Sequence, residues 1–392
     1  MAPPVEAVQI AGLERVNPET VARYLQQRPG QPLDTARLDR DLMRVYGDGD
    51  FENVDYALLD EHGRHVLRIT PLEKSWGPDY LRFALNLNSS LSQGSTYSLR
   101  AAYQKTWLNP LGGELLYSAE IGSNAGAGVE WYQPLDGAHR VFADSSVSYR
   151  RERIGFFQND QRLAEYILGN GRLQLTAGMN LGLAGQARLG WRASRRNISI
   201  ETGVPVVPDQ SVDDSGWLAD LNLDRLNRLY FPSRGWSASV NWFESPRNHY
   251  ARLGIDLRSA HSFGAYVLGT RLTYTGSPRG LLPPYDAASL GGFLNLSAFA
   301  SGQLLADQAR YAHLRVERIV GRAPLGLRGD LRLGVALEAG KVGHPYSETQ
   351  RTGWLDSTTV YLGGQTPFGP VYVGVAYSTS GVANAYLFLG TP

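Results

Sequence analysis

The sequence predicts a mainly β protein: a small α+β module in the order βααββ, then a sixteen-stranded antiparallel transmembrane β-barrel. Three observations lead there. From Asp79 onward, apolar and polar residues alternate with a period of two, in segments of about ten residues, the length of a tilted membrane-crossing strand. The connections between those segments are short on one side and long on the other. The 392 residues never supply the unbroken apolar row of roughly 20 that a spanning helix needs.

The module is expected over residues 1–76 and the barrel over 77–392, with 277–307 folded inward. Val5–Leu13 reads as a strand. Asn17 before Pro18 is a helix start, a capping side chain followed by proline at the first helical position. Val21, Tyr24 and Leu25 follow at helical spacing, and 28–32 (RPGQP) breaks the chain. Asp34 caps a second helix with Leu38, Leu42, Val45 and Tyr46 on one face. Residues 47–50 end it, and two strands then form a hairpin around 61–64 (EHGR). His62 and His65 flank that turn. No carboxylate or cysteine cluster accompanies them, so they read as turn surface rather than as a metal pair.

In the first barrel segment Leu81, Phe83, Leu85 and Leu87 share one face, with Arg82, Asn86 and Asn88 on the other. The pattern returns at 250–259 and at 331–340, where Leu331, Leu333, Val335 and Leu337 oppose Arg332 and Glu338. Sixteen segments begin near residues 79, 94, 112, 125, 139, 161, 183, 215, 235, 250, 266, 308, 329, 357, 369 and 384. The sixth is longer than the rest if 164–181 is one strand.

A soluble sandwich also alternates, so the connections decide. On the module's side they are 109–113, 134–139, 181–185, 231–235, 262–265, 321–329 and 366–369, all short. The far side receives 151–160, 195–214, 277–307 and 342–356. Outer-membrane barrels show that asymmetry, and closure removes the strand edges that hydrocarbon does not tolerate. Trp107, Trp131, Trp217, Trp236, Trp242, Tyr97, Tyr103 and Tyr274 fall on apolar faces or strand ends, as interfacial girdles do. The polar faces then line a lumen of mixed charge.

Composition narrows the function. A net charge of +1 with no basic run implies no nucleic-acid partner. The absence of Cys excludes disulfides and thiolate metal sites. There is no Gly-x-Ser-x-Gly elbow and no nucleotide-binding loop. His313 shares a face with Glu317 but lacks a serine partner, and reads as a solvated lumen residue. No catalytic residue, metal ligand or cofactor is expected, and this chain is not expected to be an enzyme. The first ten residues carry neither the basic nor the apolar region of a signal peptide.

Ser289–Leu305 stands apart: small and apolar, with Asn295 and Gln303 as its obvious polar anchors. It is too short to span as a helix, and it falls in a far-side connection. Irregular backbone at membrane depth is tolerated where it packs inside a barrel, so the segment is expected to plug or gate the lumen.

At the level of motifs the chain resembles a known family. The strand VQIAGL, the capped second helix and the passage VYGDGDFENV resemble a polypeptide-transport-associated (POTRA) domain. The barrel resembles the bacterial surface antigen family of outer-membrane translocases and assembly factors. DRLNRLYFPSRGW (224–236) is the most specific match, with Asp224, Phe231, Pro232 and Gly235 as a strand–turn–strand motif on the periplasmic side. The family's inward loop carries a Val-Arg-Gly-Phe/Tyr tip. Here the tip is Leu290, Gly291, Gly292 and Phe293, so Gly291 replaces the family's arginine. That arginine meets an acidic residue at the position of Glu338. Without it, Arg315 or Arg332 is expected to serve Glu338, with Glu317 beside them, and the plug is expected to be differently anchored. Tyr386 and Phe388 stand where the C-terminal assembly signal of such barrels lies.

One POTRA domain before the barrel resembles the patatin-like autotransporters, type V secretion subclass d. The resemblance implies a translocator in the bacterial outer membrane, its POTRA domain in the periplasm, exporting a patatin-like lipase that precedes it. The implied partners are the lipid bilayer and lipopolysaccharide, the chain's own passenger domain, the barrel-assembly machinery and periplasmic chaperones; a homodimer is also open to it. Two alternatives stand: an assembly or two-partner secretion factor acting on separate substrates, and a passive porin, which has no need of the module.

Overall fold

A computed structural model describes residues 4–47, 49–74, 79–91, 94–322, 328–366 and 369–390. The expected boundary at 76/77 lies outside these residues, as do parts of the connections 321–329 and 366–369. Sixteen antiparallel strands close into one barrel. In order they are Tyr80–Ser90, Gly94–Lys105, Glu114–Gly122, Ala125–Pro134, Val141–Gln158, Gln161–Asn180, Gly185–Gly203, Gln210–Asp224, Gly235–Ser245, Tyr250–Phe263, Tyr266–Gly276, Ala309–Arg322, Arg328–Val342, Trp354–Thr366, Gly369–Tyr377 and Ala383–Leu389. Each pairs with its sequence neighbours, and the last pairs with the first. The sixth is a single strand of 20 residues.

Two of the long far-side connections expected from the sequence are largely strand. The fifth strand runs to Gln158 and turns through Asn159 and Asp160, both at positive φ (53° and 62°), the backbone a two-residue hairpin requires. The seventh runs to Gly203 and the eighth begins at Gln210. The ladder continues there although the apolar alternation stops. Outward positions become charged, as where Arg153 meets Glu201 at 2.7 Å. The apolar period records the hydrocarbon band, whereas strand length records hydrogen bonding.

On the module's side the expected turn at 231–235 is part of a longer connection, 225–234. Asp224 accepts the Leu226 amide at 2.8 Å, and Asn227 accepts those of Ser233 and Arg234 at 3.0 Å. Gly235 has φ +109°, and an added Cβ would overlap the Arg225 carbonyl. Phe231, also at positive φ (51°), points into the barrel and is buried.

The outward face of the barrel is apolar. Leu81, Phe83, Leu87, Trp131, Trp217 and Trp236 are all exposed on it. Trp107 is not part of that girdle. Its Nε1 donates to Asp50 at 3.0 Å and its ring packs against the module's core. A tryptophan at a strand end serves lipid or a neighbouring domain equally well, so its type alone did not distinguish them.

Before the barrel, Ala7–Ile10, Arg64–Glu73 and Phe51–Glu61 form a three-stranded sheet with Arg64–Glu73 in the middle. The expected βααββ order is corrected in one respect: the first strand is split, and Pro4–Val5 pairs with Gln31–Pro32, a short strand between the two helices where only a chain break was expected. Helix α1 (Pro18–Ala22) is capped by Asn17, and α2 (Thr35–Gly47) by Asp34, which accepts the Arg37 amide at 3.0 Å. Val21, Leu25, Leu38, Leu42, Val45, Leu67 and Ile69 form the core. Tyr46 is exposed, not part of the packed face as expected; one residue beyond Val45 it is turned about 100° away. The module sits against the barrel mouth. Thr20 Oγ1 donates to the Gly137 carbonyl at 3.2 Å, and Tyr80 donates to the Gly49 carbonyl at 3.2 Å.

Candidate functional site

Ser289–Leu305 lies inside the barrel. Ala288–Leu290 pairs with Leu304–Ala306, and the chain between them is knotted by left-handed residues: Gly291 (φ +110°), Gly292 (+102°), Leu294 (+52°) and Leu296 (+68°). The knot satisfies much of its own backbone. The Gly291 amide donates to the Asn295 carbonyl at 2.7 Å, the Gly292 amide to Phe299 at 3.0 Å, and the Leu294 amide to Ser297 Oγ at 2.7 Å. Leu290, Leu296, Ala298, Phe299 and Leu304 are buried against the wall. Small residues are required because the knot and the inward side chains share one enclosed space.

Glu338 is the principal anchor. It receives the Leu296 amide (2.8 Å), Ser297 Oγ (2.6 Å), Tyr311 Oη (2.8 Å) and Thr359 Oγ1 (2.6 Å). A buried carboxylate is stable when several donors surround it. The expectation that Arg315 or Arg332 would serve Glu338 is corrected here. Arg332 pairs with Glu317 at 2.7 Å, both fully buried, and Arg315 approaches Glu317 at 3.5 Å. Arg332 stands six positions from Glu338 along one strand, about 20 Å at the rise of a β-strand, so it cannot reach. Tyr361 also donates to Glu317, at 2.8 Å.

Phe293, at the loop tip, sits among Tyr361, Tyr372 and Tyr386 with ring centroids 5.0 to 5.7 Å away. Tyr386 donates to the carbonyls of Ser297 (2.7 Å) and Phe299 (3.0 Å). Tyr386 and Phe388 therefore face the plug, while Leu387 between them faces outward. The arginine of the family tip has no room at position 291, where an added Cβ would overlap the Ala300 carbonyl. Sequence reasoning missed Ser297, Tyr311, Thr359 and the Tyr361–Tyr372 pair. The inward parity of Tyr311, Thr359, Tyr361 and Tyr372 was legible, but not the identity of what they meet, and Ser297 lies in the plug, where no strand period applies.

The far mouth is closed by a junction of three segments. Asp160, at the tip of the long hairpin, pairs with Arg351 at 2.6 Å. Gln303 of the plug donates to both Asp160 and Glu348 at 2.9 Å. Lumen charges are largely matched: Arg100–Glu120 at 2.8 Å, Arg196–Asp214 at 3.0 Å and Arg271–Asp256 at 2.9 Å. His313 contacts Tyr311 Oη at 2.9 Å. Among the described residues no group of three His, Cys, Asp or Glu could hold a metal ion.

The barrel's closing seam is short. Four residue pairs, from Tyr386–Ser90 to Leu389–Leu87, join the last strand to the first. The first and second strands are paired along their whole length, from Tyr80–Gln104 to Ser90–Gly94. On the module's side of the plug, a cavity of about 650 Å³ is lined by residues that include Asn88, Phe231, Arg315 and Phe388.

No protein-family model matches the sequence, and no curated protein matches it. Solved structures do. BamA from Haemophilus ducreyi lacking POTRA domains 1-3 superposes with a TM-score of 0.72 at 15% identity, covering 98% of this chain and 83% of that one. CdiB from Acinetobacter baumannii gives 0.62 at 14% identity, covering 99% and 74%. CdiB from Escherichia coli gives 0.60 at 12%, covering 98% and 76%. At these identities the likeness is one of fold: a closed sixteen-stranded barrel with an N-terminal extension.

Proposed function

We propose that the chain is an outer-membrane protein translocator. The module acts as a POTRA domain in the periplasm, and the barrel exports a passenger polypeptide, a patatin-like lipase in the most specific form of the reading. The observation that carries this is a four-pair seam beside a plugged lumen. A passive porin needs an open lumen and gains nothing from a weak seam. A translocator needs a wall or a plug that gives way. Each lost ladder pair removes hydrogen bonds worth roughly 1 kcal/mol apiece, so the seam is the place where the wall opens at least cost. The module's sheet edge can receive an extended passenger segment by strand addition. The barrel-assembly machinery and periplasmic chaperones would insert the chain, and its outward face would meet lipid.

The test uses the absence of native cysteine. Ser89 and Leu387 are paired across the seam. Ser89→Cys with Leu387→Cys, oxidised, locks it. A passenger joined ahead of Val5 should then fail to reach the cell surface, and reduction should restore display. Display unaffected by the lock would sink the reading. Loss of other outer-membrane barrels, with display intact, would favour an assembly factor acting on separate substrates.

A further inference from the structure

One oblique strip of the barrel's outward face differs from the rest. The hydrogen-bond register joins Ala101, Ala119, Ala127, Tyr149, Gly171 and Arg195 in one row across six strands. The next row toward the module carries Tyr103, Tyr117, Val129, Val147 and Leu173, all exposed. Small residues beside large ones leave an open trough of about 1140 Å³. It climbs from the module's side of the second strand to the far side of the seventh.

The far end of the trough is cationic. Arg195 stands in the row itself, and Arg247 lines the trough from the connection 246–249. Arg151 stands one row higher, opposite Gly169. Gly169 and Gly171 contribute no side chain between Arg151 and Arg195, and the Tyr149 hydroxyl lies over Gly169. Two carboxylates are near: Asp213, 3.9 Å from Arg195 with both side chains more than half exposed (53% and 68%), and Glu201, which acts on Arg151 and is held by Arg153 at 2.7 Å. Arg151 and Arg247 have no ion pair among the described residues. Four arginines, Arg151, Arg153, Arg195 and Arg247, against the two carboxylates Asp213 and Glu201 leave the top of an apolar trough cationic, which complements a ligand with a negatively charged head and hydrocarbon tails. Five strand spacings separate Arg195 from Ala101, about 24 Å, which exceeds one acyl chain and suits several side by side. A second copy docked here about an axis along the membrane normal would set two cationic rims level with each other, against their like charge.

We infer that this trough binds a phosphorylated, multiply acylated glycolipid of the outer leaflet, its phosphates at Arg151, Arg195 and Arg247 and its tails over the alanine row. The inference rests on the membrane orientation proposed above and does not depend on export. The test is native mass spectrometry of the full chain in detergent, titrated with bisphosphorylated lipid A, with the same lipid stripped of phosphate, and with phosphatidylglycerol. The phosphorylated glycolipid should bind at least about tenfold tighter than the stripped one, a difference of about 1.4 kcal/mol. Arg195→Ala with Arg247→Ala should abolish that preference, and Ala127→Trp, which fills the trough, should weaken both glycolipids. Equal binding of the two glycolipids overturns the inference, as does phosphatidylglycerol binding as tightly as lipid A, or a dimer whose formation displaces the lipid. Heat-modifiable migration checks that each variant is folded. Failure of export with the phosphate preference intact would leave this site standing.

Discussion

Ser297 in the plug donates its hydroxyl to Glu338 on the barrel wall at 2.6 Å, and both are buried. Glu338 gathers the densest set of hydrogen bonds between wall and plug, and no cation shares that contact. Glu338→Ala would remove the acceptor of the Leu296 amide and of three hydroxyls, of which Tyr311 keeps His313 as a partner; each group left buried and unpaired costs about 1–3 kcal/mol. The plug should therefore spend far more time displaced. Planar-bilayer recordings should show larger and more frequent openings than wild type. Glu338→Gln, which keeps one acceptor oxygen, should fall between the two. Unchanged conductance in Glu338→Ala would show that the carboxylate is not the anchor.

Gly291 gives a second handle, and the structure reverses what the sequence suggests. By resemblance alone, Gly291→Arg restores a missing anchor and lowers conductance. With φ at +110° and the Ala300 carbonyl where a Cβ would go, any side chain there must unpick the knot. Both Gly291→Arg and Gly291→Ala should raise conductance, and a fall in either would restore the simpler expectation.

Glu317 and Arg332 form a buried ion pair in the wall, at 2.7 Å. Removing one charge strands its partner, at about 3–5 kcal/mol for a buried pair. Glu317→Leu should lower the temperature at which the barrel loses its fast gel migration. Glu317→Leu combined with Arg332→Met should recover much of that loss, because it strands Arg315 alone, which is partly solvated. Equal melting of the single and double variants would show that the pair is not the source of the cost.

In the module, Glu73 accepts the amides of Glu14, Arg15 and Val16 at 2.9 to 3.0 Å, and the Arg15 guanidinium at 3.1 Å. Burial alone would raise its pKa, but the amides and Arg15 outweigh burial and hold the carboxyl below its ordinary 4.5. A lowered folded-state pKa contributes stability that is present above 4.5 and lost as pH falls through the folded value. Hydrogen exchange of the Glu14–Val16 amides should be slow at neutral pH and lose protection as pH falls below 4.5 and through the lowered folded-state value. In Glu73→Gln, protection should be weaker at neutral pH and flat with acid. A pH response equal to wild type in that variant would assign the effect to another group.

Much of the architecture was legible in the chain, for reasons that also mark the limits. Alternation from Leu81 to Leu87 is set by one face in lipid and one in the lumen, so strand count and order follow from local pattern. The strand ends beyond Arg151 and Arg195 were hidden, because outside the hydrocarbon both faces are polar and the period vanishes. The caps at Asn17 and Asp34 were readable because a cap is made within a few residues. Trp107 and Tyr46 were misplaced because the sequence shows a residue's type, not its neighbour.

The sequence by itself determined the sixteen strands, the inward parity of Glu317, Arg332 and Glu338, and the position of the small, apolar segment that enters the lumen. Those features depend on residues close in the chain and on a solvent that changes from face to face. Only the tertiary structure decided that Glu338 is served by Ser297, Tyr311 and Thr359 while both arginines turn to Glu317, that Asp160 reaches Arg351 across the mouth, and that four pairs close the seam. These contacts join residues far apart in the chain, 191 positions for Arg351–Asp160 and more for Leu389–Leu87 across the seam. Their partners are chosen by barrel closure and register, which no local pattern encodes.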